Sequence, residues 1–347
     1  MLPHAGGGGE TYVDALARME GYRFERVHLT RATDVGRAGA SLRVARRAST
    51  VAWIAHRYDL LHVHGEIAGA VCLPTLAARR SVWTTHGLHV VRRAHGAARL
   101  AAIANLRLLT RASNRTICVS KAECEELRAL VGESAARRLR VITNGVAPAA
   151  PVSFEERAAA RASLGLDDTT VVGVYVGGLD PHKDPLIAAR AVRELADGGA
   201  PVALLVAGEG PLKPELEDLS RGSGGDVIRV LGHRSDARSV LAAGDFFLLP
   251  SLREGLSFAL LEAMSLGLAP VVSDAPGNPE AVGDAGAVVP RGDLAGLVAA
   301  VRRLVNADER RLLGQRARER VLREFRREEM VEQTRSVYHE ILGSRRD

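Results

Sequence analysis

The chain has 347 residues and 37.0 kDa, 46% of them hydrophobic and 25% charged, with 35 glycines and 14 prolines. That is a globular composition rather than a disordered or fibrous one, and a length that points to two domains of about 150 residues each. The net charge of +6 hides an asymmetry: residues 1–150 carry 22 Lys+Arg against 11 Asp+Glu, residues 151–300 carry 12 against 21, and residues 301–347 carry 13 against 9.

A basic first half fits an anionic lipid, an acidic substrate or nucleic acid, or simply a solvated arginine-rich surface. Nucleic acid is disfavoured, because 4% aromatic residues leave little for base stacking and no zinc-finger or RNA-binding signature is present. Cys72, Cys118 and Cys124 form no C-x-x-C pair and no even framework, which argues against a disulfide scaffold or a cysteine zinc site. No apolar run reaches the ~18 residues of a membrane span, and the opening Met1-Leu2-Pro3-His4-Ala5 does not read as a signal peptide. A reducing cytosol is the default compartment.

Short β-branched runs alternate with helix-period segments along the whole chain, as in parallel α/β sheets. In the first half, strands are predicted near 25–29, 60–64, 81–85, 115–119 and 139–142, with helices near 10–20, 37–57, 66–79, 92–112 and 121–131. The stretch GVAPAAP (145–151) reads as a linker. The second half has predicted strands at 171–176, 202–206, 227–231, 246–249, 269–272 and 286–289. Its helices are expected near 184–197, 211–220, 236–243, 257–266 and 293–305, and arginine-rich helices run from about 308 to 342. The pattern is that of two doubly wound α/β domains in tandem. The glycine run Gly6–Gly9 sits where such a domain places the loop after its first strand, yet only MLPHA precedes it. The first strand of the N-terminal domain is therefore expected to be missing; the alternative is a bare glycine-rich tail.

Three stretches carry candidate chemistry. In FFLLPSLREGLSFALLEAMSL (246–266) a buried strand ends at Pro250 and a helix opens near Ser257. Gly255 permits close backbone approach, and the first-turn amides of Leu256, Ser257 and Phe258 suit a phosphate. Glu262 lies on a helix that is apolar nearly all round, where a carboxylate needs a partner: a ligand hydroxyl, solvent or a structural arginine. In VVGVYVGGLDPHKDP (171–185), Gly177-Gly178 end a strand and Lys183 opens the next helix; a lysine there suits a diphosphate or is an ordinary surface residue. In SVWTTHGLHV (81–90), His86 follows a strand, as either a structural hydrogen-bonder or a ligand group. Gly6–Gly9, His86, Lys183 and Glu254 would all lie at carboxyl ends of strands, where open α/β sheets bind ligands, and would converge if the domains face across a cleft. No P-loop, G-x-G-x-x-G, G-x-S-x-G or H-E-x-x-H pattern is present, which disfavours a P-loop ATPase, a hydride-transfer enzyme and a zinc hydrolase.

These residues resemble glycosyltransferase family 4, whose members are retaining nucleotide-sugar enzymes of the GT-B fold, with two Rossmann-like domains. The resemblance rests on the E-x7-E pair Glu254 and Glu262 within PSLREGLSFALLEAMSLGLAPVVSDAPGNPE, with GGGGE (6–10), DLLHVHG (59–65), TTHG (84–87), CVS (118–120), VITNGV (141–146), VAGEGP (206–211) and VLGHRSD (230–236) in order. It implies an N-terminal acceptor-side domain over 1–150, a donor domain over 151–322, and a terminal helix over 323–347 returning to the first domain. It implies catalytic roles for Glu254, His86 and Lys183. The donor would be held by Gly8, Gly9, Gly177, Arg253, Gly255, Leu256, Ser257 and Glu262, the last on the ribose hydroxyls.

It further implies metal-independent chemistry with no cofactor beyond a nucleotide-diphosphate sugar as co-substrate, a UDP-sugar being expected, and a hydroxyl acceptor that is a glycan, a lipid-linked group or a small molecule. The alternatives of the same fold are a nucleotide-sugar 2-epimerase and a non-catalytic binding paralogue. One departure stands out: the family pattern V-G-R-L-x-x-x-K reads Val176-Gly177-Gly178-Leu179 before Lys183 here. Losing that arginine's contact with the diphosphate costs on the order of 1.5–3 kcal/mol unless another basic group such as Arg253 substitutes. The basic first domain makes a peripheral anionic membrane surface at the cytoplasmic face an expected partner.

Overall fold

The structure, a computed structural model, describes residues 8–28, 48–222 and 227–343. The chain divides into two units, Met1–Gly145 with Arg327–Asp347, and Val146–Arg326. The divisions fall a few residues from the 150/151 and 322/323 boundaries read from the sequence. The reason is local: the Val146 amide donates to the Phe325 carbonyl at 2.9 Å and Val146 bridges Arg326 in parallel, which ties both stretches to the second unit.

In the first unit the described strands are β1 (Leu61–His64), β2 (Ser81–Thr84), β3 (Arg115–Cys118) and β4 (Leu139–Val141), all parallel in the order β1-β2-β3-β4. β2 is buried along its whole length, as expected for a strand covered on both faces. Val63, Leu76, Trp83, Leu106 and Leu109 form the centre of the core, and the Trp83 indole donates to the Gly65 carbonyl at 3.1 Å. The Arg327–Gly343 helix belongs to this unit: the Tyr338 hydroxyl lies 2.6 Å from His62 Nδ1, and Thr334 Oγ1 lies 3.2 Å from the Tyr12 hydroxyl.

The strand predicted near 25–29 does not form over its described residues. Residues 22–27 join no ladder and His28 is a lone bridge residue. Arg26 instead pairs with Asp14, and His28 Nε2 lies 3.7 Å from Glu10, so side chains tie the segment to the Gly8–Leu16 helix. That helix begins two residues before the predicted start. Residues 37–47 of the helix predicted over 37–57 lie outside the described residues, as do Gly6 and Gly7; residues 48–54 are helical and Ala55–Arg57 form a 3-10 turn.

The second unit has six parallel strands: β5 (Val171–Val176), β6 (Val202–Ala207), β7 (Ile228–Gly232), β8 (Phe246–Leu249), β9 (Ala269–Ser273) and β10 (Ala287–Val289). Their order is β10-β9-β8-β5-β6-β7, so the winding reverses between β5 and β8. The carboxyl ends of those two strands are where an open α/β sheet leaves a ligand crevice. Helices Pro185–Asp197 and Leu294–Leu304 pack together, as do Phe258–Ser265 and Ala307–Glu324. Helix Phe154–Ser163, absent from the sequence prediction, is capped by Ser153, whose Oγ accepts from the Glu156 amide at 3.1 Å. The S-F-E-E stretch is the capping-box signal that announces it.

Asp245, at the foot of β8, organises the base of this sheet. It accepts from Arg157 Nη2 at 2.8 Å, Arg161 Nη2 at 2.6 Å and the Val172 amide at 2.8 Å. Arg161 is 2% exposed, and burial lowers its pKa from the ordinary guanidinium value. Removing the carboxylate takes the ion-pair partner from three arginines, Arg310 among them at 3.5 Å, and the acceptor from the Val172 amide, so Asp245→Ala is expected to destabilise the second unit by about 3–5 kcal/mol in denaturant unfolding; a loss under about 1 kcal/mol would contradict a structural role for the cluster.

Candidate functional site

β5 runs out into Gly177-Gly178-Leu179, a turn over 180–183, and the helix that opens at Pro185. The turn is fixed by Tyr175, whose hydroxyl donates to the Gly178 carbonyl at 2.7 Å, and by the Lys183 amide, which donates to the Asp180 carbonyl at 2.9 Å. β8 runs out into Pro250–Ser257, and the Leu252 amide donates to the His182 carbonyl at 2.9 Å, so the two loops are sewn together at the switch point. Across this seam Lys183 Nζ lies 2.7 Å from Glu254 Oε1, and Ser251 Oγ donates to the same oxygen at 2.7 Å. Glu254 is 3% exposed. A buried carboxylate with a lysine and a hydroxyl on one oxygen is satisfied as a charge and held in one position.

Behind it, Ser273 Oγ donates to the Ser251 carbonyl, and Asn278 Nδ2 donates to the Ser273 carbonyl at 3.2 Å. Ser251, Ser273 and Asn278 are buried supports that sequence reasoning missed; their one signal was a serine at or just past the ends of two successive strands. Gly255 and Leu256 are buried, and a Cβ on Gly277 (φ +89°) would collide with the Gly255 carbonyl, so only glycine at 277 lets the loop sit this close. Ser257 caps the next helix, its Oγ accepting from the Leu260 amide at 3.4 Å. Arg253 is half-buried on the same loop.

Glu262 lies midway along helix Phe258–Ser265. Burial pushes its carboxyl above the ordinary carboxylate value, and its carboxylate has no hydrogen-bond or ion-pair partner among the described residues. The arginine that approaches this helix end, Arg318, donates instead to the Ser265 and Ala149 carbonyls. A half-buried acceptor pair without a protein donor has the chemistry to take a diol.

In the first unit, β1 and β2 end in a cluster of rings. His64 Nδ1 lies 3.0 Å from His86 Nε2, His62 Nε2 lies 2.7 Å from Thr84 Oγ1, and the Tyr12 ring stands edge-on to His86 at 5.1 Å. Burial lowers the pKa of His86 to about 4 and those of His62 and His64 well below 6.5, so all three are neutral at pH 7. His86 is half-buried with φ +58°, a conformation rare outside glycine. His62 and His64 were legible only as H-x-H on a strand, which places both on one face. Gly8 and Gly9 open the helix that carries Tyr12. Thus Lys183, Glu254, Gly177, Arg253, Gly255, Leu256, Ser257 and Glu262 all belong to the second unit, and Gly8, Gly9 and His86 to the first. Among the described residues no cluster of three or more His, Cys, Asp or Glu side chains is arranged to hold a metal ion.

Because burial raises the Glu262 pKa, the folded chain holds that proton more tightly than the unfolded one. Its contribution is fully favourable below the unfolded value of 4.5 and is lost as pH rises through the folded value. Glu262→Gln is therefore expected to raise Tm at pH 7, with the gain closing below pH 4.5; an unchanged or lower Tm at pH 7 would contradict the burial of an unpaired carboxylate there.

Residues 8–150 match the family described as Glycosyltransferase Family 4, and residues 170–307 match Glycosyl transferases group 1. The chain is 30% identical over 240 residues to the UDP-Gal:alpha-D-GlcNAc-diphosphoundecaprenol alpha-1,3-galactosyltransferase of Escherichia coli, covering 64% of this chain and 59% of that protein. It is 30% identical over 265 residues to the D-inositol 3-phosphate glycosyltransferase of Streptomyces bingchenggensis, covering 69% and 58%. The chain thus spans just under three-fifths of the length of these curated relatives. In fold it is similar to HepE of Anabaena in complex with UDP-glucose, with a TM-score of 0.80 at 20% identity over 98% of both chains. With the E-x7-E pair in place and one match in each unit, the chain belongs to glycosyltransferase family 4 and has its GT-B fold.

Proposed function

We propose that the chain is a retaining, metal-independent glycosyltransferase that moves a sugar from a nucleotide-diphosphate sugar, with UDP as the nucleotide, to an acceptor hydroxyl. The observation that carries the reading is the Lys183–Glu254 pair at the β5/β8 switch point, with the unpartnered Glu262 on the helix that follows the same loop. Lys183 has three N–H donors, so it can keep Glu254 and still engage a phosphate oxygen. It then offsets charge building on the departing diphosphate, the work a divalent cation does elsewhere. The amides of Leu256 and Ser257, at the cap of the helix and just before it, add donors to the same anion. Glu262 accepts from the ribose hydroxyls. Glu254, held rigidly, contacts the sugar, and His86, neutral at pH 7, offers a neutral hydrogen-bonding group rather than a cation.

Retention is assigned to front-side displacement, in which acceptor hydroxyl and leaving diphosphate share one face of the sugar. UDP as the nucleotide is supported by the UDP-Gal donor in the E. coli relative's name and by the UDP-glucose complex of HepE.

The acceptor is proposed to be anionic or lipid-linked, met at the cytoplasmic membrane face. The support is charge and surface chemistry. Helix Gly96–Ala112 exposes Leu100 (70%) and Leu108 (52%) beside the exposed Arg99, Arg107 and Arg111. Apolar residues flanked by arginines suit an anionic bilayer surface. No helix among the described residues is long and apolar enough to cross a membrane.

Calorimetry with UDP and turnover of UDP-, GDP- and ADP-sugars test the donor reading. Glu262→Ala is expected to weaken UDP binding at least about tenfold, and Lys183→Ala to lower turnover ~10²–10³-fold. A folded protein that binds and hydrolyses none of these donors would overturn it. For the membrane, Leu100→Glu with Arg107→Glu should abolish low-salt flotation with anionic liposomes; flotation equal to that of the native chain would remove that helix from the account.

A further inference from the structure

His86 sits in the first unit's most contorted stretch. His86, Gly87 and Leu88 all have positive φ (+58°, +122° and +46°), a run that costs free energy unless its surroundings enforce it. The neighbours of β2 supply that enforcement. β1 leads into the helix whose first residue is Glu66, and β3 leads into the helix whose third residue is Glu123, so the two carboxylates flank the loop that leaves β2. Glu123 accepts from the Gly87 amide with one oxygen and from the Val119 amide, at 2.8 Å, with the other. Glu66 accepts from the Val90 amide at 2.6 Å and the Val91 amide at 3.4 Å. Arg92 closes the far side, its Nη1 donating to the Gly87 carbonyl at 2.8 Å while its guanidinium pairs with Glu126 at 2.5 Å.

Glu123 is 0% exposed and Glu66 7%, and burial raises the pKa of each from its ordinary value. Two acids in such places are costly for fold stability alone, where apolar side chains of equal volume usually serve as well. What only they supply is a pair of double acceptors on either side of the loop: Glu123 ties the Gly87 amide inside it to the Val119 amide past the end of β3, and Glu66 takes the Val90 and Val91 amides in the first turn of the helix that follows it.

We propose that Glu66 and Glu123 are positioning residues that hold residues 86–88 in this left-handed turn and so present the His86 imidazole in a single orientation; the catalytic consequence rests on the reading that His86 contacts the donor sugar. The ring itself makes one inward contact, to His64, with Tyr12 beside it, so its orientation depends on the backbone beneath it.

The test uses the full chain. Glu123→Gln keeps the side chain's size but turns one acceptor into a donor facing an amide. In protein labelled at histidine, with His62 and His64 resonances assigned by single substitution, the native His86 ring should titrate near 4. In folded Glu123→Gln it should titrate at least one pH unit higher, because the ring gains solvent. With UDP-glucose as donor, kcat for UDP release should fall about tenfold or more with KM changed less than about threefold. Adding Glu123→Gln to His86→Ala should slow the enzyme no further. A folded variant with native His86 titration would overturn the proposal, as would full additivity in the double variant. If His86 shifts as expected but His86→Ala retains native turnover, the clamp stands and the donor-sugar reading of His86 falls. Should Glu123→Gln not fold, Glu66→Gln, whose Val91 contact is long, carries the same measurements.

Discussion

One ion pair organises the second unit's chemistry: Lys183 to Glu254, 2.7 Å apart, made by two loops that leave the sheet where its winding reverses. Neither residue could be placed there by local propensity. The β5 loop and the β8 loop are about 70 residues apart in sequence and meet because β5 and β8 are neighbours in the sheet. The pair satisfies a buried carboxylate, and the carboxylate in return holds the lysine at the carboxyl edge of the strands. Remove the reversal and the pair is lost, with Glu254 left to the Ser251 hydroxyl of its own loop.

The two units solve the same problem with different tools. In the second, a lysine, a serine and glycine-permitted backbone contact fix the site. In the first, buried acids bind backbone amides and hold a histidine loop in a conformation it would not otherwise keep. Each device uses a charge in a place where charge is costly, and beside each stands a half-buried polar side chain: Glu262 in one case, His86 in the other. That economy of partners separates these residues from the Asp245 cluster, where every charge is satisfied by protein and the role is structural.

Much of this was legible in the amino-acid sequence. All ten described strands lie within a residue or two of apolar runs that alternate with helix-period segments, because parallel strands buried on both faces carry a continuous signal. Glu262 was visible as a carboxylate on an apolar helix. The misses have physical causes. The segment near 25–29 has strand-like alternation, but its Arg26 and His28 side chains reach back to a helix, which composition does not reveal. Helix Phe154–Ser163 is short, and only its cap announced it. Ser251, Ser273, Asn278, Glu66 and Glu123 act through partners 3 to 36 positions away, and spacing carries no trace of such contacts.

The second unit is proposed to grip a nucleoside diphosphate at the β5/β8 switch point. A crystal structure with UDP bound tests this most directly. The ribose hydroxyls should lie within about 3.2 Å of the Glu262 carboxylate, with a phosphate oxygen within hydrogen-bond reach of Lys183 Nζ. UDP seated elsewhere on the unit, with Glu262 still unpartnered, would contradict it.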